Sequence, residues 1–407
     1  MSTRRVRANG EGSLFAYRNG YAAYVWVTTP GGGRERKWIY GQDRDELHGR
    51  WIDLQKQAKS GPVATKVPKV AEYLTYWLQE IVAPNLAPLT YATYETLTRL
   101  YIVPGLGVKR LDKLTLRDVQ TWLNKVRQSC QCCAQGKDAR RPEKARRCCA
   151  VGKCCGAAPS PRTVSDLRTV LRSAMSSAAR EDLITKNVVT MTQLPARRRR
   201  KRKPWSSDEA RTFLESVRVD DNALYAAYVL ILVLGLRKGE VLGLTWLDVD
   251  LEAAELTVGW QLQRVRGELL HRETKTAASD ATLPLPSICV AALRQRRAAQ
   301  DRTREAVGEA WTRSGLVFTT RYGDPIEPRN FNRYFAARCA AAGVRQITVH
   351  DARRTCATLL VDLDVHPRVV MQILRHAQFD VTMEVYASAS SAATREALKR
   401  LGASLDG

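Results

Sequence analysis

The run from Ala223 to Leu236 is apolar over about fourteen residues and ends abruptly at Arg237-Lys238-Gly239-Glu240. A bilayer needs roughly 20 such residues, so this stretch is too short to span one. A helix apolar on every side must instead be wrapped by other elements of its own chain. The charged residues that follow are therefore delivered to the edge of a core.

A chain of 407 residues suggests about two to three domains of ordinary size. Its 65 Lys+Arg against 41 Asp+Glu leave +24 at pH 7, a balance suited to holding a polyanion, of which nucleic acid fits best. Charge alone does not separate DNA from RNA or a membrane surface. The start, Met1-Ser2-Thr3-Arg4-Arg5, lacks the apolar stretch of a signal peptide, which points to the cytoplasm and to no membrane partner. In that reducing compartment the ten cysteines are expected as thiols or metal ligands.

Along the chain, 12–17, 21–28 and 36–40 are short aromatic and β-branched runs broken by Asn19-Gly20 and Gly31-Gly32-Gly33, which predicts two hairpins, and 43–59 predicts a helix. Arg34, Arg36 and Lys37, with Arg18, sit near the turns and are candidate DNA contacts; a basic module that binds nothing specific is the other reading. A Pro- and Lys-containing linker follows at 61–69. Helical periodicity then runs from Val70 to about Arg127 and returns over 160–180, which predicts an all-helical domain over 70–195.

An insertion at about 128–159 interrupts those helices and holds Cys130, Cys132, Cys133, Cys148, Cys149, Cys154 and Cys155. Zinc asks for four thiolates or imidazoles in a tetrahedron, and Cys130, Cys133, Cys149 and Cys154 have usable gaps for one structural ion. A basic loop with spare thiols has the same sequence, so both readings stand. Beyond it, 196–204 is a basic linker in which Arg197, Arg198, Arg199, Arg200, Lys201, Arg202 and Lys203 can cross a phosphate backbone.

The last domain, 205–391, reads as helices, then three short strands, then helices, and most of its chemistry lies between Ile347 and Tyr386. His350 and Arg353 are three apart and share a helix face, so both can reach one small anion. Pro367 suits the first turn of the next helix, and His376 falls at its end. On a straight helix Tyr386 would lie about 15 Å beyond His376, so a turn at 377–380 is expected to fold the phenol back.

Gly235-Leu236-Arg237-Lys238-Gly239-Glu240-Val241-Leu242-Gly243-Leu244-Thr245-Trp246, Lys275 in its hairpin, His350 with Arg353, then His376 and Tyr386 resemble, in order and spacing, the tyrosine recombinases of the phage integrase family. The resemblance covers about 204–395 closely and the helical and N-terminal regions more loosely. It implies a mainly α fold with small β-sheets (α+β): an arm-type DNA-binding domain at 1–60 with a three-stranded sheet and a helix, a helical core-binding domain, a mixed α/β catalytic domain, and a tail helix at 392–407. It further implies a site of Arg237, Lys275, His350, Arg353 and His376 with Tyr386 as nucleophile, no cofactor required for catalysis, and four protomers on double-stranded DNA with accessory DNA-bending or directionality proteins, in the cytoplasm and nucleoid of a bacterial host. Two departures stand out. Arg354 takes the place of a second histidine common in relatives, and Arg375 that of the common glycine before His376.

The residue chemistry agrees. A phenol is ionised in about one molecule in a thousand at pH 7, a deficit of roughly 4 kcal/mol, so Tyr386 needs its proton removed, and His350 is the candidate base. Arg237 and Arg353 suit the non-bridging oxygens because their planar forks pair bidentately and stay charged. Lys275 is placed to protonate the departing 5′-oxygen, and Glu240 to brace Arg237. The function expected is site-specific recombination through a 3′-phosphotyrosine, integrating or excising a mobile element. The alternatives are DNA relaxation by a type IB topoisomerase, which shares this chemistry, and a DNA-binding protein with an inactive site. The tail helix is expected either on a neighbouring protomer or on its own domain.

Overall fold

Turn chemistry shapes the first module. The structure, a computed structural model, describes residues 13–29, 32–61, 63, 67–196, 203–220, 222–274 and 281–375. Strands β1 (Ser13–Tyr17), β2 (Gly20–Thr28) and β3 (Arg34–Gly41) form an antiparallel sheet in that order. Tyr17 pairs with Gly20, so Arg18-Asn19 is the turn and Arg18 takes the positive φ of 52°. Gly20 opens β2, where an added Cβ would lie 2.6 Å from the Gly41 carbonyl. Helix α1 (Arg44–Ser60) starts at Asp43, whose carboxylate accepts from the N–H of Asp45 and Glu46, and its Leu54 closes a small core with Val25, Val27 and Val63.

Helices dominate the next stretch of chain, from Val70 to Arg180. Helix α2 (Val70–Tyr76) runs through a π-helical turn, Trp77–Val82, into the short α3 (Ala83–Asn85). Helix α4 (Pro88–Leu97) likewise runs through Thr98–Ile102 into α5 (Val103–Leu106). Each π turn ends two residues before a proline, Pro84 or Pro104. Proline has no N–H for the carbonyl four residues back and its ring crowds it, so the helix widens and the Ala83 and Val103 N–H groups donate five residues back, to Leu78 and Thr98. Helix α6 (Leu116–Gln128) opens with a Thr115–Asp118 capping box, and the four-residue α7 (Gln131–Ala134) lies in the insertion. Helix α8 (Pro161–Arg180) closes the bundle, where Trp77 donates to the Ser177 hydroxyl and Tyr73 to the Glu181 carboxylate.

Chain contacts separate residues 1–198 from 199–407. In the second unit, α9 (Ser207–Val219) is capped by Ser206 with Glu209 in a capping box, and α10 (Tyr225–Val233) is the buried apolar helix, packed among α9 and the later helices Ser287–Val307 and Val349–Asp362. It is shorter than the apolar run because Gly235 adopts φ +60° and Arg237 is extended as the N-cap of α11 (Lys238–Gly243). Strands β4 (Val249–Asp250), β5 (Glu255–Val258) and β8 (Ala281–Pro284) form one small sheet, and β6 (Trp260–Val265) and β7 (Glu268–Glu273) a hairpin, where three strands were expected. Helices α12 (Ser287–Val307), α13 (Pro328–Ala341), α14 (Val349–Asp362) and α15 (Pro367–Leu374) complete it.

An aromatic cluster of Trp205, Phe213, Tyr228, Phe331 and Phe335 fills the centre of this unit. Arg345 ties the linker's end to it by donating to the Lys203 and Pro204 carbonyls and to Glu209. Among the described residues no helix is long and apolar enough to cross a membrane.

Candidate active site

Three loops and helix ends bring the basic residues together. Thr348 caps α14 in a box with Asp351, which sets His350 and Arg353 in the first turns of the helix. Arg353 is buried at 4% exposure and donates to the carbonyls of Gly235 and Leu374, the ends of α10 and α15. Arg237, at the start of α11, donates to Glu240 through its side chain at 2.5 Å and its backbone N–H at 2.8 Å, and to the Arg375 carbonyl at 3.3 Å. The bracing of Arg237 by Glu240 is thus present.

Arg375 completes this arrangement in a way the sequence did not disclose. It terminates α15 in the left-handed region, φ +52°, where glycine is the strain-free residue. Its side chain turns inward, almost fully buried, and donates to the other Glu240 oxygen at 2.7 Å. The departure from glycine therefore adds a third guanidinium beside one carboxylate, and three positive charges against one negative leave +2. Arg353, Arg237 and His350 line one cleft of about 700 Å³ with Lys238 and Gln346.

Electrostatics separate the roles. Burial first, then the facing Arg237, lowers Arg353 to about 9, so it remains charged at neutral pH. Burial opposes the charge on Glu240, but Arg375 and Arg237 outweigh it and hold the carboxylate below its ordinary range. His350 is exposed at the cleft, yet partial desolvation, followed by repulsion from Arg353, lowers its pKa below 6.5, so the imidazole is neutral at pH 7 and can accept a proton. The cleft can therefore seat a tetrahedral anion beside a neutral base.

Of the expected site residues, Arg237, His350 and Arg353 converge here. Lys275, between β7 and β8, and His376 and Tyr386, beyond α15, lie outside the described residues, as do Arg197, Arg198, Arg199, Arg200, Lys201, Arg202 and the tail at 392–407.

Residues 205–392 match the phage integrase family and 69–127 the phage integrase N-terminal SAM-like domain. The chain belongs to the phage integrase family of tyrosine recombinases. A tyrosine recombinase XerC-like protein of Caldanaerobacter subterraneus is 25% identical, over 91% of this chain and 93% of its own length. An integrase of Streptomyces ambofaciens is 27% identical over 89% and 88%. The Tn1549 transposon integrase, solved with a circular intermediate DNA, shares the fold at a TM-score of 0.61 and 21% identity, over 82% of this chain and 99% of that one. The recombinase is thus a DNA strand-cleaving and rejoining enzyme of site-specific recombination, and all six expected site residues fall inside the matched catalytic segment.

On the N-terminal sheet of the recombinase, pairing of Trp26 with Arg36 and of Thr28 with Arg34 puts both arginines on the face opposite the small core. Arg36 lies over Tyr24 and Trp26 at 5.1 and 4.7 Å, and Arg34 over Trp26 at 5.6 Å. Phe15, Tyr17, Trp38 and Tyr40 extend that face with exposed rings, residues the sequence reading passed over. Lys37 corrects the expected trio: strand alternation turns it to the other face, half-buried near Asp112 and Arg110, so it does not share the patch of Arg34 and Arg36.

Proposed function

We propose that the chain recombines duplex DNA at specific attachment sites by forming a 3′-phosphotyrosine at Tyr386, integrating or excising a mobile element. His350 takes the phenolic proton as the oxygen attacks phosphorus; Arg237 and Arg353 hold the non-bridging oxygens; His376 donates to one of them. Lys275 gives its proton to the 5′-oxygen as the P–O bond breaks. The phosphodiester energy stays in the tyrosyl ester, so a second 5′-hydroxyl reseals the strand without a nucleotide cofactor. The convergence of Arg237, Arg353 and His350 on one cleft, braced by Glu240, is the observation that carries this reading.

Four protomers exchanging strands in pairs, with accessory DNA-bending or directionality proteins, in the cytoplasm and nucleoid of a bacterial host, complete the proposal. The Arg34 and Arg36 face and the basic linker from Arg197 to Lys203 would contact DNA, and Cys130, Cys133, Cys149 and Cys154 would hold a structural zinc ion. A nicked duplex carrying an attachment site should trap a covalent protein–DNA complex with the wild-type chain and none with Tyr386→Phe, which keeps DNA binding. An adduct formed by Tyr386→Phe, or binding without any adduct by the wild type, would overturn it.

A further inference from the structure

The insertion between α6 and α8 has almost nothing apolar to fold around. The hydrophobic core of the helical region skips from Val126 to Val164, and apart from Cys132 the buried residues of the insertion are the polar Gln131, Gln135 and Asp138. A segment of this size without a core needs a covalent or metal staple.

All seven of its sulfurs converge. Cys130, Cys133, Cys149 and Cys154 form one set whose ligand atoms lie within 4.8 Å of one another, and Cys132, Cys148, Cys149 and Cys155 form a second. The close S···S separations are 3.8 Å for Cys130–Cys149, 3.6 Å for Cys133–Cys154, 3.8 Å for Cys132–Cys148 and 3.7 Å for Cys149–Cys155, and Cys130 and Cys155 lie 3.8 Å apart across the two sets. A disulfide would bring the sulfurs to about 2.05 Å. A zinc tetrahedron with Zn–S bonds of about 2.3 Å has S···S edges of about 3.8 Å. These close separations match such an edge and are too long for a disulfide.

Cys149 belongs to both sets and touches Cys130 of one and Cys155 of the other. Residues 128–159 contain no histidine, and their acidic residues are Asp138 and Glu143. Asp138 is committed elsewhere: its carboxylate accepts from the N–H groups of Arg147, Cys148 and Ala150 and pairs with Arg141. It pins the loop that carries Cys148 and Cys149, and Glu143 is exposed and belongs to neither set. Two tetrahedra need eight ligand positions, and seven sulfurs fill them when one sulfur is shared.

We infer that the insertion holds two zinc ions in one thiolate cluster, with Cys149 bridging them and three further cysteines closing each site. This rests on the reading that the insertion binds zinc and replaces its single ion with a pair. Each ligating thiol releases its proton to solvent, and two dications with seven thiolates leave a charge of −3. The insertion carries seven Lys and Arg residues of the opposite sign within the same 128–159 stretch.

The test is metal counting on the full chain purified from zinc-supplemented medium, followed by exchange with NMR-active cadmium. Two metals per chain are expected, giving two cadmium signals split by mutual coupling through the shared sulfur. The double variant Cys132→Ser, Cys148→Ser should fall to one metal, with the coupling gone. One metal per wild-type chain would overturn the cluster and leave the single site standing. No metal would overturn both readings, and two uncoupled cadmium signals would overturn Cys149 as the bridge.

Discussion

Replacing Glu240 with glutamine tests whether one carboxylate holds the guanidinium cluster together. Glu240 and Arg375 have side chains only 4% and 1% exposed, so their pair is desolvated, whereas Arg237 keeps 41% of its side chain in solvent. Removing one partner of a buried pair costs about 3–5 kcal/mol, because the remaining charge has no water to return to. The half-exposed Arg237 contact adds no more than about 1 kcal/mol. Glutamine keeps the shape and one acceptor, which sets the expected loss near the lower end, about 3 kcal/mol.

For a unit of this size that loss lowers the midpoint of thermal unfolding by about 6–12 °C. Calorimetry of the full chain, comparing wild type with Glu240→Gln, measures it. Inorganic sulfate should restore part of the loss and stabilise the variant more than the wild type, since an added anion then meets an uncompensated cluster. The pH dependence carries a sign. Glu240 has a folded pKa below its ordinary 4.5, so its contribution is complete above that value and is lost as pH falls through the lower folded one. The gap between the two proteins should therefore close below pH 4.5. A midpoint within about 2 °C of wild type at neutral pH would refute the reasoning.

The remaining expectations concern the cleft and its supports. Because the His350 pKa is lowered from 6.5, its basic form persists down to that pH, and single-turnover cleavage should decline only below it, an acid limb that His350→Gln removes; a His350-dependent limb above 6.5 would contradict the assignment. Lys275→Ala should slow cleavage, and a substrate with a 5′-bridging sulfur, a leaving group that needs no proton, should restore it; failure of that rescue would remove the acid role. Gly235→Ala places a Cβ 2.4 Å from Leu374 Cδ2 at φ +60°, and strain plus overpacking should cost about 2–4 kcal/mol in urea unfolding. Since the Gly235 carbonyl accepts from Arg353, cleavage should fall as well, and an unchanged urea midpoint would argue against the close packing.

How much was legible beforehand differs by element. The helix starts at Asp43, Thr115, Ser160 and Ser206 were readable because a cap is a local bond between a side chain and an N–H two or three residues on. The π turns were not, since periodicity predicts a helix without saying where a proline forces it to widen. The parity of β3 is a local property: Arg34 and Arg36 are two apart and Lys37 is out of step, so strand alternation separates them where proximity to a turn does not.

The sequence by itself determined the main helices and the N-terminal hairpins, the apolar helix that must be buried, and the residue chemistry of phosphoryl transfer to a tyrosine, because caps, periodicity and functional groups are properties of neighbouring residues. Only the tertiary structure decided that Arg353 is aimed by the carbonyls of Gly235 and Leu374, 118 and 21 residues away in the chain. It also decided that Arg375 is turned inward onto Glu240 rather than out to solvent, and that seven cysteines form two sets sharing Cys149 rather than one set with spares. Such juxtapositions depend on which surfaces bury one another across long stretches of chain, and no local pattern records that choice.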